Sequence, residues 1–362
     1  MTGILARYFG LRFLGALLAV LGGVFALIAL IDYVEMMRRY SDAPNLSATL
    51  VAQTSLYRVP QVAERILPFC VLIGAMSCYL GLSRRLELVI ARSAGLSAWQ
   101  FTAPAVVVAM LVGLFATTIY NPIAASMYER SKRFEAELTG NRGSGIQSTA
   151  SGFWVRQRSA EGHSIVNAAG SREQGVTLTG VTAFAYDNNG RFVERIEAKS
   201  AKLESGYWRL EDARIYAPGS PPVERESYQL KTNLNAEQVR ETFSTPETVP
   251  FWQLPLFISM ADHAGLPATS YRLQYYKLIS RPFMLAAMVM LAAAFSLRFF
   301  RFGGVQKMVL GGVASGFLLY VMSKVTDDLS KAELLHPMAA AWLPVFIGGL
   351  TGFVALLYQE DG

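Results

Sequence analysis

Six long apolar stretches constrain the fold of this chain more than any other feature of its sequence. They cover residues 13–32, 60–82, 100–120, 278–297, 305–325 and 338–358. A helix needs about 20 apolar residues to cross the hydrocarbon core of a bilayer. Because backbone polar groups find no water there, only helices and closed barrels can span it. The sequence therefore predicts a membrane protein with six transmembrane helices.

The chain between the third and fourth apolar stretches has a different pattern. Short runs such as GVTLTGVTAFAYD and GYWRLEDARIY alternate polar and apolar residues, and Gly, Asn and Pro separate them. This alternation is typical of β-strands, and closely spaced turn signals are typical of sandwiches and jelly rolls. The predicted fold class is an α-helical membrane protein with six transmembrane helices, three on each side of an inserted all-β jelly-roll domain. We expect helices one to three and a short helix near 84–95 within 1–125, the jelly roll and its linkers within 126–270, and the last three helices within 271–362.

Lysine and arginine are unevenly distributed among the short loops. The formal net charge is +6, and the bases gather in the N-terminal tail and in loops 83–97 and 298–307. With six spans these three segments lie on one side of the membrane, and loops rich in Lys and Arg stay cytoplasmic. We expect both termini in the cytoplasm and the β domain outside, which in a bacterium is the periplasm. The bases form no long block, so nucleic-acid binding is not expected.

The loop SRRLELVIARSAGLSAWQ, residues 83–100, carries a short amphipathic pattern. Leu86, Val89 and Ile90 recur at helical spacing, and Gly95 is suited to cap the helix. One interpretation is a coupling helix, which in ABC transporters sits in a cleft of an ATPase subunit. The other is an interfacial helix that anchors two spans. The pattern alone does not decide between them.

The motifs of common enzyme classes are missing from the sequence. It contains no G-x-x-x-x-G-K-[ST] phosphate loop, no G-x-S-x-G elbow and no H-E-x-x-H, and its three histidines are scattered. We therefore expect a chain that is not an enzyme and that binds no metal or cofactor itself. If ATP powers it, a separate chain must bind the ATP and its Mg.

Several segments resemble one known family of membrane proteins. RRLELVIARSAGLS, STASGFWVR, AKLESGYWRLEDARIY and LKTNLNAEQV are similar to corresponding segments of the lipopolysaccharide export permeases, the LptF/LptG (YjgP/YjgQ) family. The likeness covers nearly the whole chain, and the last two segments are more similar to the LptG branch. The LptF branch is the alternative within the family, and a membrane-anchored periplasmic ligand-binding scaffold or sensor is the alternative outside it.

The resemblance implies a role as the permease subunit of an ATP-driven, ABC-type transporter in the bacterial inner membrane. Such a permease pairs with an LptF-like paralogue and with two copies of a cytoplasmic, LptB-like ATPase, which binds ATP and Mg. Single-span LptC-like and periplasmic LptA-like jelly-roll proteins complete the bridge towards the outer membrane. The complex extracts lipopolysaccharide from the inner membrane and passes it to that bridge.

The resemblance also implies residues that couple the chain to its ATPase. Glu87 leads this set because it matches the acid of the family's coupling helix and could pair with a base of the ATPase. The other members are Arg84, Arg85, Leu88, Arg92 and Gly95. Arg84 and Arg85 have a second interpretation as charges that only set the orientation of the loop.

Lipopolysaccharide carries phosphorylated sugars, so its site needs polar and basic groups near the periplasmic surface. The predicted substrate-binding set is Asp32, Glu35, Arg38, Arg39, Arg130, Arg133, Tyr320 and Lys324. Some family members have a base near the position of Asp32, and Arg38 and Arg39 could replace it here. A salt bridge from Lys324 to Asp327 or Asp328 is the alternative role for that lysine.

Overall fold

The computed structural model describes residues 3–39, 41, 47–138, 153–159, 162–172, 176–187, 190–204, 206–232, 246–263, 268–300 and 305–360. Its helices are α1 (Gly3–Arg39), α2 (Ala48–Arg84), α3 (Glu87–Ser93), α4 (Ala98–Phe115), α5 (Asn121–Leu138), α6 (Leu254–His263), α7 (Thr269–Phe300), α8 (Val305–Lys331) and α9 (Pro337–Glu360). A π-helix, Ala116–Tyr120, joins α4 to α5. Within these residues six helical segments are long and apolar enough to cross a membrane, which confirms the predicted number of spans.

The first two spans are longer than the apolar stretches that predicted them. Helices α1 and α2 have 37 residues each, about 55 Å at 1.5 Å per residue, whereas the hydrocarbon core is about 30 Å thick. Their extensions pack on each other, because Met36 of α1 and Val51 of α2 are both buried in one small cluster. Hydropathy alone missed these extensions because they are amphipathic rather than continuously apolar.

The helices differ strongly in how much of their surface they bury within the chain. In the most apolar 18-residue stretch of each helix, 61% of the residues of α2 and of α7 are buried within the chain, whereas only 6% of those of α1 are. Small residues allow the central helices to approach closely. A Cβ added to Gly113 of α4 would lie 2.5 Å from the Cα of Pro282 in α7, and one added to Gly352 of α9 would lie 2.9 Å from the Cβ of Met290. Helix α7 is therefore the centre of the bundle.

Between residues 153 and 232 the described part of the inserted region forms β-strands and turns, as predicted. Its strands are β1 (Phe153–Ser159), β2 (Gly162–Arg172), β3 (Thr177–Asp187), β4 (Phe192–Glu204), β5 (Tyr207–Tyr216) and β6 (Val223–Lys231). They form one antiparallel sheet in sequential order, with pairs such as Val166 to Ala183 and Ile196 to Ile215. The crossover connections of a jelly roll do not occur among the described strands, so that finer description stays a prediction.

A line of irregular pairing crosses this sheet from β2 to β6. The register of paired residues skips Ala169, Gly180, Lys199, Asp212 and Glu226 in turn. Two of them have positive φ, Gly180 at 60° and Asp212 at 53°. Such irregularities bend strands and increase their twist. The sheet can therefore curve around its own core of alternate apolar residues.

The chain returns from the sheet to the bundle through two short 3-10 helices and α6. The 3-10 helices are Pro246–Thr248 and Phe251–Gln253. Ala261 of α6 is buried in the core of the sheet, and Ile258 packs against the same core. Helix α6 thus connects the β domain to the start of α7.

Candidate functional site

Segment 84–97, which connects α2 to α4, turns sharply before α3. Leu86 has a φ of 62°, an uncommon conformation for a residue with a side chain. Its N–H donates to the carbonyl of Ser83 at 3.0 Å. Leu86 is therefore the N-cap of α3 and not part of its first turn.

The other end of this segment is fixed by two caps. Gly95 has a φ of +83°; its N–H donates to Arg92 O at 3.0 Å, and Leu96 N–H donates to Ala91 O at 3.1 Å. This pattern is a Schellman motif, for which glycine is favoured. Ser97 and Gln100 then form a capping box at the start of α4. Helix α3, only seven residues long, is thereby held in one orientation.

Helix α3 buries a different pair of residues from the apolar ones that the sequence pattern brought out. Leu88 and Ala91 are 4% and 8% exposed, whereas Leu86 and Ile90 are 58% and 65% exposed. Of the apolar residues that recur at helical spacing in this loop, Leu86 precedes the helix as its N-cap and Ile90 faces outwards. Two large apolar side chains therefore project from the end of the bundle.

The predicted coupling residues divide between the surface and the interior. Arg84 and Arg85 are exposed. The Glu87 side chain is 27% exposed and accepts a hydrogen bond from the Tyr8 hydroxyl of α1 at 2.9 Å. The guanidinium of Arg92 lies 6.0 Å from the centre of the Phe101 ring. Glu87, Leu88 and Arg92 therefore contact other parts of this chain, whereas Arg84 and Arg85 face outwards.

At the other end of the bundle, where α5 leads into the β domain, the predicted substrate residues of α1 form ion pairs. Asp32 lies 3.5 Å from Arg58 of α2, and Glu35 lies 2.7 Å from Arg39. Sequence reasoning missed Arg58. The sequence shows only that Arg58 is a base just before the apolar stretch of α2. It does not show that α1 and α2 pack together, so it cannot show that Arg58 pairs with Asp32.

The remaining predicted substrate residues lie on α1, α5 and α8. Arg38 and Arg130 are exposed, and neither forms an ion pair among the described side chains. The side chain of Arg133 lies outside the described part. Tyr320 packs on Phe69 with ring centres 5.6 Å apart. Lys324 is exposed.

Lys324 forms the salt bridge that was its alternative interpretation. Its Nζ lies 3.2 Å from an oxygen of Asp328, one turn along α8. The neighbouring Asp327 accepts from Lys277 of α7 at 2.5 Å. The structure thus pairs Lys324 within its own helix.

A buried polar junction joins three spans near the β-domain end. Glu64 of α2 is 2% exposed and pairs with Arg281 of α7. The amide of Asn121, at the start of α5, donates to the same carboxylate at 2.8 Å. Ionisable side chains within spans are costly and pair with one another. Because Glu64 and Arg281 lie in different apolar stretches, the sequence alone did not show that they pair.

The polar junction continues into the linker that returns from the sheet. Asn121 accepts a hydrogen bond from the backbone N–H of Phe251 at 3.0 Å. The indole of Trp252 donates to the carbonyl of Thr118 at 3.0 Å. Thr118 lies in the π-helix, and such bulges occur at functional sites. The linker is therefore fastened to the third span.

The β domain has an open groove along its irregular line, with a volume of about 690 Å³. Acids and bases both line it, including Lys199, Asp212 and Arg214. Arg214 donates to Glu224 at 2.9 Å through Nε, and this hydrogen bond raises the pKa of Arg214. The mixed charge gives the groove no single ligand preference.

Together, these features define a polytopic membrane protein in which two sets of three spans flank an all-β domain. A short, doubly capped segment projects from the end of the bundle opposite that domain.

The family model "Lipopolysaccharide export system permease LptF/LptG" matches residues 7–358. The chain therefore belongs to the LptF/LptG family of lipopolysaccharide export permeases. It is 23% identical over 354 residues to "Lipopolysaccharide export system permease protein LptG" of Escherichia coli (strain K12), covering 94% of each chain. It is 23% identical over 356 residues to the LptG protein of Haemophilus influenzae (strain ATCC 51907 / DSM 11121 / KW20 / Rd), covering 95% of each. These relatives and the six spans support a multi-pass inner-membrane location.

Proposed function

We propose that this chain is the LptG-type permease subunit of an ATP-driven transporter that extracts lipopolysaccharide from the inner membrane. Lipopolysaccharide then passes to a periplasmic jelly-roll bridge towards the outer membrane. Membership of the family over residues 7–358 supports the substrate. The observation that carries the ATP-driven mechanism is the capped projecting segment 84–97 with its exposed Leu86 and Ile90.

The shape of segment 84–97 suits a partner that pushes on it. A contiguous exposed apolar patch rimmed by polar residues marks a site of contact with protein or membrane. Leu86 and Ile90 form an exposed apolar projection, called the knob below, and the exposed Arg84 and Arg85 border it. Because a tight turn at Leu86 and the Schellman motif at Gly95 join α3 directly to its neighbours, a force on the knob would move the ends of α2 and α4. The proposed partner is a cytoplasmic, LptB-like ATPase, which would bind ATP and Mg, since the sequence of this chain has no phosphate loop.

The proposed orientation follows from the distribution of bases. Segment 84–97 and the loop before α8 are basic, whereas the loop between α8 and α9 is acidic. Lys and Arg in short loops stay cytoplasmic. Both termini and segment 84–97 would then face the cytoplasm, and the β domain would face the periplasm.

The surface of the outer helices supports pairing with a second permease. Helix α1 exposes Leu18, Leu27 and Leu30, and α8 exposes Leu310 and Leu318. An LptF-like paralogue, together with lipid, would cover these surfaces and enclose the acyl chains of the substrate. The exposed bases Arg38 and Arg130 would contact its phosphates near the periplasmic surface, where LptC-like and LptA-like proteins would receive it.

The proposed function is tested by reconstitution. The chain is coexpressed with a paralogous permease and the ATPase, and ATP-dependent release of lipopolysaccharide from vesicles is measured. In the Ile90→Glu variant a charge enters the apolar contact, so we expect at least about tenfold less ATPase to copurify. Leu334→Glu changes a residue of similar exposure, 76%, at the opposite end of the bundle and is the control. Normal copurification with Ile90→Glu, or no release by the unmodified complex, contradicts the proposal.

A further inference from the structure

The carboxylate of Glu87 is engaged by α1 and does not lie free at the surface. The Tyr8 hydroxyl donates to one of its oxygens at 2.9 Å, and Arg12 lies 4.0 Å from the other. Arg12 also donates through Nε to the Tyr8 hydroxyl at 3.1 Å. The hydroxyl thus accepts from one residue and donates to another, which links Arg12, Tyr8 and Glu87 in a single chain of hydrogen bonds.

This chain of hydrogen bonds lies at the beginning of the most weakly packed span. Phe9, Phe13 and Leu17 of α1 are buried in the helical core. Further along, α1 exposes a long run of apolar side chains, and its most apolar window is only 6% buried. The start of α1 is therefore its firm attachment to the bundle, and Glu87 lies at that attachment.

We propose that Tyr8 and Arg12 are positioning residues that transmit movement of segment 84–97 to the first span. The inference rests on the proposed function, because it assumes that an ATPase moves this segment. Leu88 and Ala91 attach α3 to the interior through apolar contacts, which tolerate sliding. The directional hydrogen bond from Tyr8 to a charged acceptor fixes the distance between α3 and α1.

The inference gives Glu87 a role distinct from an ion pair with the ATPase. A glutamine at this position keeps an oxygen that can accept from the Tyr8 hydroxyl, but it loses the negative charge. If the bond to Tyr8 matters, Glu87→Gln, which keeps a weaker acceptor, loses clearly less lipid release than Glu87→Ala. If an ion pair with a base of the ATPase matters, both substitutions are equally harmful.

The experiment uses the reconstituted complex and measures ATP hydrolysis and lipopolysaccharide release in the same sample. Tyr8→Phe removes one hydroxyl and keeps the ring. We expect ATP hydrolysis within about twofold of the unmodified complex and a fall in lipid released per ATP of about five- to tenfold, the effect of losing one ordinary hydrogen bond in a partly exposed setting. The control is Tyr358→Phe, because Tyr358 is 79% exposed near the end of α9 and lies outside this contact.

Each outcome is informative. If the unmodified complex releases no lipid with ATP, the proposed function fails, whatever Tyr8 does. If that complex works and Tyr8→Phe releases lipid normally, the transmission role is refuted while the proposed function stands. Loss of ATP hydrolysis in Tyr8→Phe also counts against the inference, because it would place Tyr8 in the engagement of the ATPase. Retained release in Glu87→Gln with loss in Glu87→Ala supports the inference.

Discussion

At the scale of single residues, the most demanding feature is the ion pair between Glu64 and Arg281. Burying two charges costs several kcal/mol each, and their attraction offsets this cost only with good geometry and further hydrogen bonds. Asn121 supplies one such bond by donating to Glu64. Removing only one partner leaves an uncompensated charge in the interior.

Arg281→Met tests this account. It keeps much of the side-chain volume but isolates the Glu64 carboxylate, so we expect a loss of ~3–5 kcal/mol in the free energy of unfolding. The matched control is Arg272→Met in the same helix. The Arg272 and Asp262 side chains are 44% and 43% exposed, and exposed pairs contribute about 0–1 kcal/mol. Unfolding of the purified proteins in detergent gives both values, and equal losses would show that the buried pair contributes little.

The sequence shows which charged residues stand in unusual places, but it does not show which residues they pair with. Glu64 stands out because it is an acid within an apolar stretch, whereas Arg281 lies 217 positions away in another one. The same limit explains Arg58, which pairs with Asp32, and Tyr8, which bonds Glu87 across 79 positions. Local pattern shows that a charge needs a partner. Only the packing of the helices decides which residue that partner is.

At the scale of elements, helix packing depends on a few backbone approaches. Gly113 of α4 faces the backbone of Pro282 in α7, where no side chain has room.

Most elements were predictable from hydropathy period, turn signals and caps, including α3 with its capping glycine. The buried face of α3 was not predictable because Leu86 adopts a positive φ, which shifts the helix start and rotates the face that packs inwards.

Gly113→Ala should weaken the contact between α4 and α7. The added Cβ would lie 2.5 Å from a backbone atom, which cannot move aside as a side chain can, so we expect a loss of about 1–3 kcal/mol. Gly22→Ala is the control, since nothing lies within 4 Å of a Cβ at that position. There we expect no loss, or a gain of up to ~1 kcal/mol from better helix propensity. Thermal unfolding of the two variants in detergent separates these effects, and equal midpoints would contradict the tight approach.

At the scale of the whole molecule, the order of elements places segment 84–97 and the β domain at opposite ends of the bundle. The polar junction connects the linker of the β domain to α2, α5 and α7, and Tyr8 connects α1 to segment 84–97. The number of spans followed from the length of the apolar stretches, and the β insertion followed from alternating polar and apolar residues. The line of skipped pairs across five strands did not, because each skip depends on the pairing of two strands and not on the pattern of one.

The orientation of the molecule can be measured with two single cysteines introduced at serines. Ser93 lies at the end of α3 and Ser227 lies in β6, and both are exposed. The native Cys70 and Cys78 are 1% and 9% exposed within α2, so they should react slowly and set the background. If bases hold segment 84–97 in the cytoplasm, an impermeant maleimide should label Ser227→Cys in spheroplasts but should label Ser93→Cys only after the inner membrane is opened. Labelling of Ser93→Cys in intact spheroplasts would invert the orientation, and a cytoplasmic ATPase could then not reach the segment proposed to receive it.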